Sequence, residues 1–196
     1  LTPVTLRGDL VELRPLAAAD RDALASAVAD GDVWRLAYTR VPSPDEMAAE
    51  IERRLELAVR GEMLPFTAVR LGGAASGTGG PGGTGGPVGT VIGMTTFCNV
   101  DASNRRLEIG WTWNAASAQR SGTNTESKLL LLRHAFEELG CIAVELRTDR
   151  RNVRSQAAIE RLGAQRDGIL RHHAVMPDGH VRDTVVYSIT APEWPG

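Results

Sequence analysis

The stretch Gln119-Arg120-Ser121-Gly122-Thr123-Asn124 lies between a run typical of a strand, which ends at Trp113, and a leucine-rich run typical of a helix. A glycine-bearing loop that opens a helix leaves the first backbone N–H groups of that helix without intrahelical acceptors. These donors and the helix dipole together attract anions, and phosphate groups in particular. The residues themselves therefore predict a site for a phosphate-bearing ligand, and they leave open which ligand it is.

The spacing of this loop resembles the Gln/Arg-x-x-Gly-x-Gly/Ala pyrophosphate loop of the GNAT acyltransferase superfamily. Gln119 opens the pattern, Gly122 is the central glycine, and Asn124 stands where the family has glycine or alanine. This departure is mild because asparagine tolerates unusual backbone angles. The segment 152–163 carries a second mark, since it resembles the Asn-x-x-Ser-x-x-Ala helix that closes the other side of the CoA groove.

A third mark lies near the end of the chain, where Asp167-Gly168 is followed by Pro177-Asp178-Gly179 and then by Arg182-Asp183-Thr184. With the first two, it resembles the RimJ/RimL-like branch, which includes ribosomal-protein N-terminal acetyltransferases. The resemblance extends from Val11 to Trp194. It implies an acyl-CoA-dependent N-acyltransferase, with acetyl-CoA as the first candidate donor, that transfers an acyl group to a primary amine by direct attack.

The resemblance leaves several alternatives open. The amine can belong to a peptide or protein N-terminus or to a small molecule. The donor can be succinyl-CoA rather than acetyl-CoA, in which case an arginine or histidine near the thioester would be the physical sign. The scaffold can also hold acyl-CoA as a sensor or structural ligand without turnover. A homodimer is a further possibility, because Trp194 and the last hairpin could pair across a two-fold axis.

The composition is that of an ordinary globular chain. It has 196 residues, a formal net charge of −2 and 42% hydrophobic residues, which fits one domain with a sizeable core. The chain lacks the surplus of basic residues that is typical of nucleic-acid-binding proteins. No segment is long and apolar enough for a membrane helix, and the two cysteines do not have the spacing of metal ligands. We expect one GNAT domain over 1–196, without a metal, in the cytoplasm. The glycine-rich stretch 72–89 is expected to be a flexible insertion in a hairpin.

The periodicity of the chain predicts an α/β fold with a mixed sheet, in the order β-α-α-β-β-β-α-β-α-β-β. The central strand-helix-strand unit requires a parallel pair, whereas the hairpins are antiparallel. This order matches the GNAT fold, in which the resemblance implies that the two central parallel strands splay apart to admit the pantetheine arm. Asp20 and Ser43 are expected to cap the first two helices.

The resemblance also assigns residues to the two substrates. It implies acyl-CoA contacts from the strand end, from the loop with the start of its helix, and from the helix of the segment 152–163. These residues are Trp111, Thr112, Trp113, Gln119, Arg120, Ser121, Gly122, Thr123, Asn124, Asn152 and Ser155. It implies that the amine acceptor approaches the N-terminal helices and the last hairpin, where the candidate contacts are Trp34, Tyr38, His172 and His173. Because strand side chains alternate, one of the two adjacent histidines must face inward.

Glu108 is the candidate general base. Alternation places it on the same strand face as Gly110 and Thr112, where a carboxylate could take a proton from the amine directly or through a water. The alternative is a structural carboxylate that is hydrogen-bonded to neighbouring backbone. A backbone N–H near Trp111 or Thr112, where the family strand has a bulge, is the candidate oxyanion donor.

Ser155 is the candidate general acid, because of its position in the Asn-x-x-Ser motif. The alternative is that Ser155, as the third residue after the cap Asn152, only pairs with backbone. One departure from the family concerns the strand after this helix, where some ribosomal-protein acetyltransferases have a glutamate. Ala174 stands at that position, which argues against a ribosomal-protein acceptor or moves the base elsewhere.

Overall fold

The computed structural model describes residues 1–36, 38–72 and 89–195. Within these residues the strands are β1 (Leu6–Arg7), β2 (Val11–Pro15), β3 (Leu64–Arg70), β4 (Thr90–Asp101), β5 (Arg106–Asn114), β6 (Ala143–Asp149), β7 (Gln165–Val175) and β8 (Val181–Thr190). The α-helices are α1 (Arg21–Ala29), α2 (Met47–Val59), α3 (Thr123–Arg133) and α4 (Val153–Glu160). Residues His134–Glu138 continue α3 as a wider π-turn.

All eight described strands form one sheet, in the order β1-β2-β3-β4-β5-β6-β8-β7. The pair β5 and β6 is parallel, and the other neighbours are antiparallel. The parallel pair is short: its register runs from Arg106 opposite Ala143 to Glu108 opposite Glu145. Beyond that point β5 pairs with β4 alone and β6 with β8 alone. The central strands therefore splay apart, as predicted.

The helices cover the sheet through two buried apolar clusters. The first joins the leucines of α3 to the strands, with Leu131 and Leu132 fully buried beside Phe66 and Phe97. The second joins α1 and α2 to β4 and β5, and its members are Leu16, Leu24, Ala27, Val28, Val33, Met47, Ile51, Met94, Trp113 and Ala115. Burial of these side chains fixes α3 and α2 next to the place where β5 leaves β6.

The predicted order of elements is confirmed, with β1 added at the start of the chain. A strand of two residues has too few positions to show alternation, and β1 is recognisable only because it pairs with β2. Of the predicted insertion 72–89, Gly72 and Gly89 are described, and 73–88 lie outside.

The first helix starts after Asp20 as predicted, but without a hydrogen bond from the cap side chain, and the second helix starts later than predicted. The carboxylate of Asp20 does not cap α1, because it accepts hydrogen bonds from Arg14 and from the Thr67 hydroxyl. Ser43 does make the predicted contact with Glu46, through both its N–H and its hydroxyl at 2.9 Å. Residues 44–46 nevertheless form turns, and α2 begins at Met47.

Candidate functional site

The splay between β5 and β6 opens into a cleft of about 620 Å³. Its walls come from the segment 38–41, the end of β5, the loop before α3, the end of β6, α4 and the hairpin of β7 and β8. The predicted site residues that line it are Tyr38, Glu108, Trp111, Thr112, Trp113, Gln119, Arg120, Gly122, Asn124, Asn152, Ser155 and His173. The structure therefore brings most of the predicted residues to one cavity.

The loop before α3 has the backbone of an anion site. Gly122, the N-cap, has a φ of 82°, and Arg120 has a φ of 60°. The Glu126 N–H donates to the Gly122 carbonyl, so the amides that precede Glu126 in the helix have no intrahelical acceptor. The hydroxyls of Ser121 and Thr123 both donate to the Ala118 carbonyl. These two side chains fold under the loop and do not line the cleft.

The end of β5 carries the bulge that the resemblance implies. Met94 of β4 pairs with Trp113, whereas Thr96 pairs with Gly110, so one extra residue is accommodated on β5 between them. Trp111 lies in this bulge with a φ of 51°, an uncommon conformation for a bulky residue. The irregular pairing turns the backbone at Trp111 and Thr112 away from a regular ladder and toward the cleft that both residues line.

Two buried cations hold this bulge in place. Arg54 of α2 donates to the Thr96 hydroxyl at 2.8 Å and to the Trp111 carbonyl at 3.4 Å. Its Nε is paired with Glu50 at 2.7 Å. Lys128 of α3 donates to the Thr112 hydroxyl at 2.7 Å. Burial lowers the pKa of the Lys128 ammonium to about 8.

Glu108 lies at the last paired position of the parallel strands, 7% exposed. Its Oε2 accepts a hydrogen bond from Asn99 at 2.7 Å and lies 3.3 Å from the Arg147 Nε. Its Oε1 lies over Gly110, 2.6 Å from the position that a Cβ would occupy, so a side chain at 110 would displace the carboxylate. Burial raises the pKa of Glu108 above its ordinary value, against the opposing effects of Asn99 and Arg147.

The N-terminus of α4 forms the opposite wall. The Asn152 side chain accepts a hydrogen bond from the Ser155 N–H at 3.0 Å, so the predicted cap is present. Both residues also line the cleft. The cap and a ligand contact are compatible, because the cap uses the Asn152 Oδ1 and leaves its amide N–H groups for other acceptors.

The hairpin side of the cleft contains some of the residues that were predicted to contact an amine acceptor. Tyr38, His173 and Ala174 line it, and the His173 Nδ1 lies 3.0 Å from the Thr184 hydroxyl. His172 does not line the cleft: its N–H donates to Asp183, and its side chain is exposed. Trp34 packs against the second apolar cluster, and Arg35 stacks on its ring.

Several lining residues were not singled out from the sequence: Arg40, Arg54, Asn99, Lys128, Arg147, Asp149 and Arg182. A signal was present for two of them. Arg54 lies three positions after Ile51 on the apolar stripe of α2, and Lys128 precedes Leu131 and Leu132 by helical spacing on α3. A charge on the buried stripe of a helix marks a polar interior, and here that interior is the cleft.

The short parallel pair and the cleft that opens beside it are features of the GNAT fold. The chain belongs to the acetyltransferase (GNAT) domain family, whose model matches residues 11–165.

Named relatives agree with this assignment. YdaF of Bacillus subtilis (strain 168), which carries a provisional name as a ribosomal N-acetyltransferase, is 34% identical over 107 residues. This alignment covers 55% of the chain and 57% of YdaF. A crystal structure from T. thermophilus, provisionally named an acetyltransferase, is 33% identical with a TM-score of 0.77, and the match covers 100% of this chain and 94% of that one.

The RimJ protein of Mycobacterium smegmatis, solved in complex with CoA-disulfide, shares the fold at 22% identity. Its TM-score is 0.76, and the match covers 99% of this chain and 89% of that one. The similarity to the RimJ/RimL-like branch is thereby confirmed at the level of the fold and of the named relatives.

The residues present fit an acyl-CoA ligand. The amides before Glu126 offer donors to phosphate, and Arg120 adds a cation beside them. The Trp113 Nε1 is buried in the cleft wall without a hydrogen-bond partner among the described residues. A ligand carbonyl or amide would satisfy such a donor. Over the same part of the chain, no cluster of His, Cys, Asp and Glu could hold a metal ion, and no helix has the length and apolarity to cross a membrane.

Proposed function

We propose that the protein is an acyl-CoA-dependent N-acyltransferase, with acetyl-CoA as the preferred donor and a primary amine as the acceptor. One observation carries the proposal: a buried carboxylate, that of Glu108, lines the same cleft as the anion-binding loop at the start of α3. The loop supplies binding for the phosphates, and the carboxylate supplies a proton acceptor where the strands part.

The residues of the cleft divide the chemical work among them. The loop amides and Arg120 hold the phosphates, and a backbone N–H at the Trp111–Thr112 bulge polarises the thioester carbonyl. Glu108 takes a proton from the amine, directly or through a water, so that the neutral amine attacks the thioester carbonyl. The C–N bond forms, the C–S bond breaks, and the Ser155 hydroxyl passes a proton to the leaving thiolate and regains one from solvent, to which Glu108 releases its own. No step uses a nucleophile of the chain.

The acceptor is proposed to be the N-terminus of a peptide or protein, or a small amine. The name of YdaF points to a ribosomal protein. Ala174 counts against that choice, because it lines the cleft without a titratable group. We further propose that the described elements form a single domain, that the protein acts in the cytoplasm, and that the edge strand β7 offers a surface for a homodimer.

A second candidate function is an acyl-CoA-binding module without turnover. It is favoured by the contacts that hold the Glu108 Oε2, since a carboxylate engaged with Asn99 and Arg147 also has a structural role. The two functions differ in one measurable respect. A binding module gains no rate from the Glu108 carboxylate, whereas a transferase loses its base when that carboxylate becomes an amide.

The test measures CoA release from acetyl-CoA in the presence of a panel of primary amines, by a thiol reagent. Background is expected to be low because Cys98 and Cys141 are both buried, and burial raises the pKa of the Cys98 thiol to about 12. We expect amine-dependent release from the wild-type protein. The Glu108→Gln variant should lose about 10²- to 10⁴-fold in kcat with acetyl-CoA affinity retained.

Glu145→Gln is the matched control. Glu145 lies directly opposite Glu108 on β6, forms ion pairs with Arg106 and Arg147, and does not line the cleft. It should keep the wild-type rate within a few-fold. Equal rates in the wild type and Glu108→Gln would leave the binding module as the better account.

A further inference from the structure

The acceptor end of the cleft is rich in arginine, and its arginines differ in whether they are neutralised. Arg54 is paired with Glu50, and Arg147 is paired with Glu145 and Glu108. The neighbouring carboxylate of Asp149 is engaged by Arg151 through its backbone N–H at 2.7 Å and its guanidinium at 3.3 Å. Arg40 and Arg182 also line the cleft, and neither has a carboxylate partner within 4.0 Å among the described residues.

Of the two arginines, Arg182 gives the stronger indication of a ligand. It stands on β8 opposite Ala174, and its Nε is buried without a hydrogen-bond partner in the described part of the chain. A buried guanidinium N–H without an acceptor lowers the stability of the folded state, so such groups are rare in native proteins and often bind a ligand. The side chain lines the cleft, and an acceptor brought there by a ligand would satisfy it.

Arg40 contacts the same hairpin of β7 and β8 that carries Arg182. Its guanidinium donates to the Val175 carbonyl, which fixes the segment 38–41 to the end of β7. Burial lowers the pKa of the Arg182 guanidinium; the charge of Asp149 opposes this shift, and the charge of Arg40 adds to it. Two guanidinium groups that repel each other both gain from an anion placed between them.

We propose that Arg182, assisted by Arg40, binds a carboxylate of the second substrate or of the acyl chain at the acceptor end of the cleft. This inference rests on the proposed acyltransferase function and specifies its substrate class. A planar carboxylate suits the donor fork of arginine. The carboxylate has two possible sources: the free end of a dicarboxylic acyl group on CoA, or an acidic group of the acceptor close to its amine.

Two arms of one experiment separate these sources. The donor arm compares the dissociation constants of succinyl-CoA and butyryl-CoA, whose acyl chains are of similar length with and without a carboxylate. The acceptor arm compares kcat/KM, with acetyl-CoA as donor, for peptides that begin with glutamate or with glutamine. Each arm uses the wild-type protein, Arg182→Met, Arg182→Lys and the control Arg171→Met. Arg171 is an exposed residue of β7 that does not line the cleft.

In one of the two arms, we expect Arg182→Met to lose at least about tenfold in affinity or in kcat/KM for the compound that carries the carboxylate. The value for the matched neutral compound should stay unchanged. Loss in the donor arm assigns the carboxylate to the acyl chain, and loss in the acceptor arm assigns it to the amine substrate. Arg182→Lys should recover part of the loss, because it restores the charge without the fork. Arg171→Met should behave as the wild type.

Acetyl-CoA binding, measured for every variant, distinguishes a failure of the carboxylate site from a failure of the acyltransferase proposal. If acetyl-CoA binds and neither arm shows a carboxylate-specific loss, or if charged and neutral partners weaken equally, the carboxylate site is overturned and the acyltransferase proposal stands. If the wild-type protein binds no CoA species at all, the acyltransferase proposal falls and the carboxylate site falls with it.

Discussion

Lys128 is a buried cation in the interior of this fold. It is the only lysine in the sequence, and in the structure it is 7% exposed with its ammonium on the Thr112 hydroxyl. The Thr112 hydroxyl in turn lies 2.8 Å from that of Thr95. The ammonium is buried against the Thr112 hydroxyl and has no carboxylate within 4.0 Å among the described residues, so desolvation lowers the pKa of Lys128 to about 8.

The lowered pKa of Lys128 predicts a pH dependence of stability. Between about pH 8 and the ordinary lysine value of 10.5, the unfolded chain binds more protons than the folded chain. The free energy of unfolding should therefore gain a contribution as the pH rises through this window, by at most about 1 kcal/mol for each pH unit.

Urea denaturation of the wild-type protein and Lys128→Met at pH 7, 8, 9 and 10 measures this contribution. Other groups that titrate in the window are common to both proteins and cancel in the difference. We expect the wild type to gain stability relative to the variant from pH 8 upward. Parallel dependence of the two proteins on pH would show that Lys128 is not desolvated.

Residue-level prediction from the sequence succeeded where a residue belongs to a local motif. Gly122, Asn152 and Glu108 follow from loop, cap and strand patterns, and all three line the cleft. It failed for Arg182, since an arginine on an edge hairpin looks like a solvated side chain until the position of β8 beside β6 is known. Its orphaned Nε is a property of tertiary packing alone.

At the scale of elements, α3 is anchored to the N-terminal hairpin by one side chain. The Glu126 carboxylate accepts hydrogen bonds from three consecutive backbone N–H groups, those of Asp9, Leu10 and Val11, at 2.8–3.0 Å. Gly8 completes the contact, because a Cβ at that position would lie 2.4 Å from the Glu126 carboxyl carbon. The turn between β1 and β2 therefore closes around the first turn of α3.

Removal of this anchor should loosen the start of α3. We expect Glu126→Ala to lower the free energy of unfolding by about 1–3 kcal/mol, because three charge-assisted hydrogen bonds are lost from backbone that water can partly rehydrate. It should also weaken acetyl-CoA binding, since the anion-binding loop ends at the same turn. Chemical denaturation and calorimetric titration measure the two effects.

Glu52→Ala is the comparison for that change, because Glu52 is exposed on α2 and outside the cleft. A loss of stability as large in Glu52→Ala as in Glu126→Ala would show that the carboxylate contacts of Glu126 contribute nothing specific.

The order of elements could be predicted because most of them have strong local signals. The helix α3 follows a glycine and contains four consecutive leucines, and the hairpin of β7 and β8 surrounds Pro177-Asp178-Gly179. The predicted capping contacts were less accurate where a side chain had a distant partner. Asp20 was expected to cap α1, but it binds Thr67 across 47 positions of sequence, which no local pattern reveals.

At the scale of the whole molecule, the cleft exists because β5 and β6 pair over only three positions. Beyond these positions each strand pairs only with its other neighbour, so its backbone groups on the side of the opening have no strand partner among the described residues. The bulge at Trp111, the buried Lys128 and the Glu108 carboxylate all lie along the β5 side of this opening. The loop before α3 and Arg182 also line the cleft.

The most direct test of this account is the thermal stability of the protein with acetyl-CoA, free CoA and NAD measured side by side. A ligand that binds the folded state alone adds about 2.7 kcal/mol at a hundredfold excess over its dissociation constant. We expect acetyl-CoA and CoA to raise the melting temperature and NAD to leave it unchanged. A melting temperature that responds to none of them, or to NAD as strongly as to CoA, would contradict the assignment of the cleft to acyl-CoA.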